Sequence, residues 1–438
     1  MPTNIQGKSK RHQTHVGATS TFREYLSHVK MFSRNARLFL LGSFLMGVNF
    51  EVFQLLLNLY LRERGISEGE IGNVIAGRAG GIALMAIPVA LLLAWVRLKP
   101  ILMASCVVFA GFSLLLIHQS QLFFFVCFSF LAGCAYTFFR VASAPFYMRN
   151  STPKERTYLF SAGFAVLLLS GMAGAIGAGT LVTVLGDYTG DILLGYRYTM
   201  ILGVMTGLTA LIPFSMIKAK ALTDDVEPIR ISIKQLKERG NFYFKIIFAR
   251  FLVGVGAGMI IPFLNLYFRD RFGLSPKVIG LFYALVTASM FIGTLAGPLL
   301  TRRFGLVRTI VMTELLSIPF MLILAFTDYL PLALIAFVAR GGLMNLGVPI
   351  GTNFAMELAE KNEQGFVNSL LMISWTGSWM LSAIVGGQMI EEYGYAPTLC
   401  IAAGLYMVSS FLYYRYFKDV EVKREDSHGW YIPEGVQV

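Results

Sequence analysis

The sequence predicts an all-α membrane protein in which twelve transmembrane helices form two pseudo-symmetric bundles of six. Three observations lead to this fold class: an apolar composition, twelve apolar stretches of spanning length and an internal duplication. Of the 438 residues, 55% are hydrophobic and only 14% are charged, and the mean hydropathy is +0.63. This balance lies outside that of soluble domains. The net charge of +12 does not indicate a nucleic-acid partner, because the basic residues stand in short segments between apolar stretches.

Apolar stretches of about 18 to 25 residues are long enough to cross the hydrocarbon core of a bilayer. In chain order, such stretches lie at 38–61, 70–95, 100–118, 122–147, 158–183, 196–217, 244–268, 277–300, 309–327, 330–356, 366–389 and 395–417. The first six predict an N-terminal bundle over residues 38–217, and the last six predict a C-terminal bundle over residues 244–417.

The two predicted bundles are related in sequence. Residues 57–64 (Leu-Asn-Leu-Tyr-Leu-Arg-Glu-Arg) recur 207 residues later as residues 264–271 (Leu-Asn-Leu-Tyr-Phe-Arg-Asp-Arg), with six of eight positions identical. After one inserted residue the offset becomes 208 and still pairs Gly72 with Gly280. A period of half the chain in so apolar a sequence indicates a duplicated membrane bundle.

The basic residues between the spans predict the orientation of the chain. Segments on one side of the predicted membrane hold 27 Lys and Arg residues, whereas those on the other side hold six. By the positive-inside rule, the basic N-terminal segment 1–37, the linker 218–243 and the tail 418–438 are cytoplasmic, and we expect a multi-pass protein of the cytoplasmic membrane. Apolar residues at helical spacing within 22–32 predict a helix at the membrane interface, with a disordered tail as the alternative. A short surface helix is expected in the linker.

The sequence contains no set of residues that would bind a metal ion or carry out catalysis. The four cysteines lie inside predicted spans without paired spacing, and of the five histidines only His118 touches a span. The polar residues within the spans form no combination of nucleophile and base. We therefore expect no cofactor, no metal and no enzymatic activity.

Charged side chains inside the spans are the candidate functional residues, because a charge at mid-bilayer costs a few kcal/mol even on the mildest scale. Glu51 lies near the middle of the first span. Gln54 and Asn58 follow at i+3 and i+7, so the three side chains form a polar stripe on one helix face. The duplicated helix keeps Asn265 at the position of Asn58 but has Gly258 in place of the acid.

Four arginines also fall within spans. Arg78 is predicted at the depth of Glu51, so a fixed ion pair between these two side chains is the structural alternative to a functional Glu51. Arg340 lies at similar depth in the tenth span and is expected to face the other half. Arg140 and Arg250 lie nearer the cytoplasmic ends, where structural anchoring or gating is the favoured interpretation.

The arrangement of six plus six helices, inside termini and a long central loop resembles the major facilitator superfamily over residues 38–417. The loop Gly65-Ile66-Ser67 before Gly72 and the segment 151–156 (Ser-Thr-Pro-Lys-Glu-Arg) are similar to loops of that family. The resemblance implies alternating access around a midplane cavity between the halves, with a small molecule as substrate.

The best-known signature of that family, Gly-x-Leu-Ala-Asp-Arg-x-Gly-Arg between the second and third helices, is poorly kept. Residues 94–99 have neither its glycines nor its acid, and residues 297–305 carry Arg302, followed by Arg303, where the acid falls. The fifth span contains a run of glycines, which permits close helix packing. It lacks the Gly-Pro motif of drug-proton antiporters.

The sequence thus predicts a monomeric secondary transporter of a small organic solute, coupled to protons through Glu51. The expected substrate-binding residues are Gln54, Asn58, Arg78, Tyr136, Asn265, Arg340, Trp375 and Trp379. The expected gate or structural charges are Arg140, Arg250, Arg302 and Arg303. The arginines favour an anionic or amphipathic substrate and the acid favours a cation, so the substrate class stays open. The alternatives are a passive facilitator and a transporter-like sensor.

Overall fold

A computed structural model describes residues 32–93, 96–218, 239–359 and 363–419. Within these ranges the chain forms twelve helices that are long and apolar enough to cross a membrane, which confirms the predicted fold class. They are α1 (Arg34–Glu63), α2 (Glu68–Leu92), α3 (Leu98–Ile117), α4 (Leu122–Arg149), α5 (Pro153–Thr189), α6 (Ile192–Met216), α7 (Gly240–Phe272), α8 (Pro276–Phe304), α9 (Leu306–Phe326), α10 (Leu330–Leu358), α11 (Gln364–Tyr393) and α12 (Tyr395–Phe417). The expected interfacial helix, most of the linker and nearly all of the C-terminal tail lie outside the described residues.

Two of the predicted continuous spans are interrupted near prolines. Helix α6 breaks at Ala210, three residues before Pro213, and α7 contains a 3-10 turn at Ile261–Phe263 that includes Pro262. Proline has no backbone N–H, and its ring clashes with the carbonyl four residues earlier. Sequence hydropathy misses both interruptions because the residues around them remain apolar.

The two halves repeat the same packing. Helix α1 packs against α5 and α6 as α7 packs against α11 and α12, and α2 packs against α4 as α8 packs against α10. Single hydrogen bonds repeat as well: the Tyr60 hydroxyl donates to the Ile117 carbonyl at 3.1 Å, and the Tyr267 hydroxyl donates to the Leu324 carbonyl at 2.7 Å. Donors and acceptors of the two bonds are each related by the offset of 207 residues, so the duplication seen in the sequence is a duplication of structure.

The bundle has two ends. We call the end that carries Ser33, Lys218 and Arg239 the linker end, and the opposite end, where Gly65 and Gly273 end the first helix of each half, the far end. These two equivalent glycines have φ of 80° and 63°. This left-handed conformation is strained for other residues, so glycine ends each helix and turns the chain back into the bundle.

At the far end the halves meet through closely packed helices. Helix α2 packs against α11, and α8 packs against α5. A Cβ atom added at Gly72 would lie 2.5 Å from the Ala383 carbonyl oxygen, and one added at Gly280 would lie 2.3 Å from the Ala175 carbonyl oxygen. Gly72 and Gly280 are equivalent in the repeat, as are Ala383 and Ala175. Backbone contact without side chains therefore joins the halves at two pseudo-symmetric places.

Polar contacts add to this closure. Arg269 of the C-terminal half forms an ion pair with Glu63 of the N-terminal half at 2.7 Å. The Gly69 amide donates to the Glu391 carboxylate at 3.0 Å, again across the two halves. The far end is therefore closed in this conformation.

Candidate functional site

A cavity of about 440 Å³ lies between the two halves. Its walls come from α1, α4 and α5 on one side and from α7 to α12 on the other. From the closed far end the cavity extends towards the linker end, where Ile246 and Gly351 line it. A cavity of this size suits a small organic molecule.

Glu51 of α1 lies in the N-terminal wall of this cavity. Its side chain crosses α5 at Gly174, where an added Cβ would lie 2.8 Å from the Glu51 Cβ, and its Oε2 approaches Gly171. Glycine at these two positions thus leaves room for the acid to reach the cavity. Tyr136 on α4 and Tyr283 on α8 line the same cavity as Glu51.

Arg78 and Gln54 form a contact of their own beside Glu51. The Arg78 guanidinium donates to Gln54 Oε1 at 2.6 Å and lies 5.5 Å from the centroid of the Phe50 ring. Among the described residues no ion pair within 4.0 Å joins Arg78 to Glu51, although the two charges attract each other at longer range. Arg78 and Gln54 are not among the residues that line the cavity and stand behind its wall in this conformation, so their role as substrate contacts stays a prediction.

Arg340 lies in the C-terminal wall and is only 4% exposed. It donates to the Tyr406 hydroxyl at 2.9 Å, and its guanidinium carbon lies 5.7 Å from the centroid of that ring. Its Nε has no hydrogen-bond partner within the part of the chain that the structure describes. A buried guanidinium with a free N–H can bind an acceptor that enters the cavity.

Arg250 and Glu314 form a second charged group in the same wall. The Arg250 guanidinium carbon lies 5.6 Å from the centroid of the Trp375 ring. Glu314 accepts a hydrogen bond from the Ser410 hydroxyl at 2.8 Å and attracts Arg250 electrostatically. Arg250 thus has an acidic neighbour.

Asn58 and Asn265 join the halves on the far-end side of the cavity. The Asn58 amide donates to the Pro262 carbonyl at 2.6 Å, and the Asn265 amide donates to the Leu55 carbonyl at 2.8 Å. Pro262 and Leu55 are themselves 207 residues apart, so the two bonds are pseudo-symmetric. We predicted both amides as substrate contacts. In this conformation each amide is hydrogen-bonded to the backbone of the opposite half at the closed far end, and the pseudo-two-fold axis relates the two bonds.

These reciprocal bonds predict matched effects of two substitutions. Asn58→Leu and Asn265→Leu each leave one buried carbonyl without its donor, at a cost of about 1–3 kcal/mol. Because the bonds exist only when the far end is closed, each variant should shift the protein towards a far-end-open conformation by a similar amount. Accessibility of single cysteines introduced at the far end to a membrane-impermeant reagent measures the shift.

Asn35→Leu is the control, because Asn35 bonds to Asn150 and Lys218 within the N-terminal half at the linker end. An equal shift in this control, or a shift in only one of the paired variants, would contradict a pseudo-symmetric closure.

The remaining expected site residues separate into two groups. Tyr136, Arg140, Trp375 and Trp379 line the cavity. Arg302 and Arg303 are exposed at the linker end of α8, away from the cavity, where Arg303 lies against the ring of Phe304. In this structure they are surface charges at the linker end. Among the described residues, no group of three or more His, Cys, Asp or Glu side chains is arranged to hold a metal ion.

Sequence reasoning overlooked the second acid of the cavity. Glu314 lies eight residues after the first residue of α9, about 12 Å into the helix at 1.5 Å per residue. The available signal was an acid inside the predicted ninth span. Its partner Ser410 is 96 residues away in sequence, so spacing alone does not bring the two together.

A family model and several solved structures match this chain. The model of the Major Facilitator Superfamily matches residues 39–242 and 246–430. No curated protein sequence matches the chain significantly.

Among solved structures, a mutant form of the nucleoside transporter NupG superposes with a TM-score of 0.72 at 15% identity, covering 87% of this chain and 100% of that one. A bacterial homologue of the human lysosomal transporter Spinster, inward-facing and occupied, gives 0.72 at 14% identity, covering 90% and 97%. A D-xylose-proton symporter gives 0.70 at 13% identity, covering 90% and 98%.

At these identities the solved structures show the fold alone, whereas the family model covers nearly the whole described chain. Family membership also supports a transporter rather than an enzyme. The chain is an integral multi-pass membrane protein and belongs to the Major Facilitator Superfamily.

Proposed function

We propose that this protein is a proton-coupled secondary transporter that moves a small organic solute across the cytoplasmic membrane by alternating access. The observation that carries the proposal is Glu51, an acid at mid-helix in the wall of a cavity between two pseudo-symmetric halves. An ionisable group at this depth needs a partner, a cavity or a task. Its carboxyl has the cavity on one side and only a long-range attraction to Arg78 on the other.

The closed far end supports alternating access. Glycine packing, the Asn58 and Asn265 bonds and the Glu63–Arg269 pair all lie on one side of the cavity. Contacts of this kind can be exchanged for contacts at the linker end if one half rocks against the other. The conformation described here then presents Glu51 to the linker side, and the opposite conformation presents it to the far side.

The orientation is part of the proposal and gives a prediction. Segments on one predicted side of the membrane hold 27 Lys and Arg residues and those on the other side hold six. A reporter fused after Lys220 should therefore be cytoplasmic, and one placed near Asp187 should be external. Enzymatic reporters active on only one side of the membrane measure this directly. External activity of the reporter at Lys220 would overturn the orientation and the conclusion that the cavity faces the cytoplasm.

The function itself is tested in two steps. A metabolite library is first screened for ligands that raise the unfolding temperature of the purified protein, since binding to the folded state stabilises it by mass action. A ligand found in this way is then offered to proteoliposomes with an imposed pH gradient. Accumulation that a protonophore abolishes supports proton coupling. Equilibration without accumulation indicates a passive facilitator, and binding without movement indicates a sensor.

A further inference from the structure

The charges that line the cavity do not balance. Among the described residues the lining contains three arginines, Arg140, Arg250 and Arg340, and two glutamates, Glu51 and Glu314. Arg78, behind the wall, adds a further positive charge near Glu51. In a cavity that closes within the membrane, an unbalanced positive charge is costly unless the occupant is negative.

Individual contacts distinguish the two arginines of the C-terminal wall. Glu314 attracts Arg250, and Glu51 attracts Arg78, so each acid has a guanidinium neighbour. Arg340 instead contacts the neutral hydroxyl of Tyr406, and in the described ranges it forms no ion pair within 4.0 Å. Among the described residues, the C-terminal wall therefore has a buried cation without an ion-pair partner.

Unused hydrogen-bond donors lie in the same wall. Within the described chain, Arg340 Nε, Arg250 Nε and the indole Nε1 of Trp379 are buried and have no acceptor. Trp379 stands next to Trp375 on α11, with ring centroids 5.8 Å apart, and Phe337 is a further aromatic residue of this wall. The wall thus offers unpaired donors next to an aromatic surface that suits an apolar body.

We infer that the substrate is an organic monoanion with an apolar, aromatic body, whose acidic group binds at Arg340, Arg250 and Trp379, and that it travels in the same direction as a proton. The inference rests on the proposed transport function. Protonation of Glu51 removes a negative charge from the cavity and thereby increases its positive excess. A proton and an anion therefore favour each other's binding, by the same factor in both directions, and this linkage makes co-transport the preferred mode. A cation would instead compete with the proton.

The first experiment compares three ligands with one ring system and different charge: naphthalene-2-acetate, its amide, and 2-(2-naphthyl)ethylamine. Binding to the purified full-length protein is measured by calorimetry and by thermal stabilisation. We expect the carboxylate to bind at least about tenfold more tightly than the other two, the difference made by one charge-assisted contact. Equal or tighter binding of the amine or amide, or binding of none of the three, would overturn the inference.

Substitutions then locate the site. Arg340→Gln and Arg250→Gln should each weaken carboxylate binding about tenfold or more, and Arg340→Lys should restore part of the loss because it keeps the charge. Trp379→Phe removes the indole donor, keeps a smaller aromatic ring, and covers the case in which an arginine variant fails to fold. Arg415→Gln, an exposed arginine outside the cavity, is the matched control and should bind normally. Unchanged binding in all the cavity variants would overturn the inference.

Proton movement separates this inference from the proposed function. In proteoliposomes, inward movement of the carboxylate should carry protons inward above the background of protein-free liposomes. Carboxylate uptake without protons would sustain the substrate class and refute coupling. Proton-coupled uptake of the amine would sustain coupling and refute the substrate class.

Discussion

Gly179→Ala in α5 is expected to hold the far end open and to reduce transport strongly. A Cβ at this position would lie 2.3 Å from the Pro276 carbonyl oxygen of the other half, where ordinary contacts are 3.4–4 Å. The obstacle is backbone, which cannot rotate away as a side chain can. Overpacking of this kind costs about 1–3 kcal/mol, which shifts the equilibrium from far-end-closed to far-end-open by about 5- to 150-fold.

The matched control lies two residues away on the same helix. A Cβ at Gly177 would meet nothing within 4 Å, so Gly177→Ala should leave transport intact and, if anything, stabilise the helix. The pseudo-symmetric Gly387→Ala, whose Cβ would lie 2.4 Å from the Glu68 carbonyl oxygen, should reproduce the Gly179→Ala effect at the other seam.

Spin labels at Tyr188 and Tyr329 report the opening of the far end. Both residues are exposed there, at 87% and 67%, and belong to opposite halves. In a background without the four native cysteines, electron–electron distance measurements should show a longer distance in Gly179→Ala than in Gly177→Ala. Equal distances and equal transport in the two variants would show that the glycine seam does not limit closure.

Hydropathy and duplication were sufficient to predict the fold because both are local or linear properties of the chain. A span needs only its own apolar length, and a repeat needs only an offset. The same offset also predicted that Asn58 and Asn265 are equivalent. It did not predict that each amide bonds to the backbone of the opposite half, because that contact depends on which conformation the transporter occupies.

The candidate site was only partly predictable for a related reason. Glu51, Arg140, Arg250 and Arg340 were identified from the cost of charge in a membrane, and the structure places all four at the cavity. Glu314 obeys the same principle but was overlooked near the start of its span. Membrane depth identifies a buried charge, whereas its function depends on neighbours that come from other helices.

The interruption of α7 also has a physical origin that hydropathy does not see. Pro262 lacks a backbone N–H and lies in the 3-10 turn, and its carbonyl accepts the Asn58 bond. The acceptor that a polar residue of the other half uses is thus a backbone carbonyl at an apolar position. A residue-by-residue hydropathy scale assigns Pro262 to the lipid-spanning helix and gives no indication of this contact.

Glu51→Gln is expected to remain folded, to bind substrate and to lose accumulation driven by a proton gradient. A one-unit pH gradient supports about a tenfold accumulation for each coupled proton, because one pH unit corresponds to about 1.36 kcal/mol. An amide cannot release and take up that proton, so Glu51→Gln should bring the substrate only to equal concentrations on both sides. Exchange of substrate for substrate should continue, since it needs no net proton movement.

The structural alternative gives the opposite result. If Glu51 served only to neutralise Arg78, its removal would strand a buried charge and lower the free energy of unfolding by about 3–5 kcal/mol, and Arg78→Gln in the same chain would restore it. The Arg78–Gln54 bond at 2.6 Å does not involve Glu51, so we expect only a small loss of stability and no such rescue.

Two further variants make the assignment of Glu51 specific. Glu392→Gln removes an exposed acid at the end of α11 and should leave accumulation unchanged. Glu314→Gln removes the other acid of the cavity. Because Glu314 is held by Ser410 and attracted by Arg250, and its loss increases the positive charge of the C-terminal wall, we expect this change to strengthen binding of an anion there while uptake stays driven by protons. If Glu314→Gln abolished proton-driven accumulation and Glu51→Gln retained it, the coupling site would lie in the C-terminal half. The presence of Glu51 in the first half, where the second half has Gly258, would then need an explanation other than proton coupling.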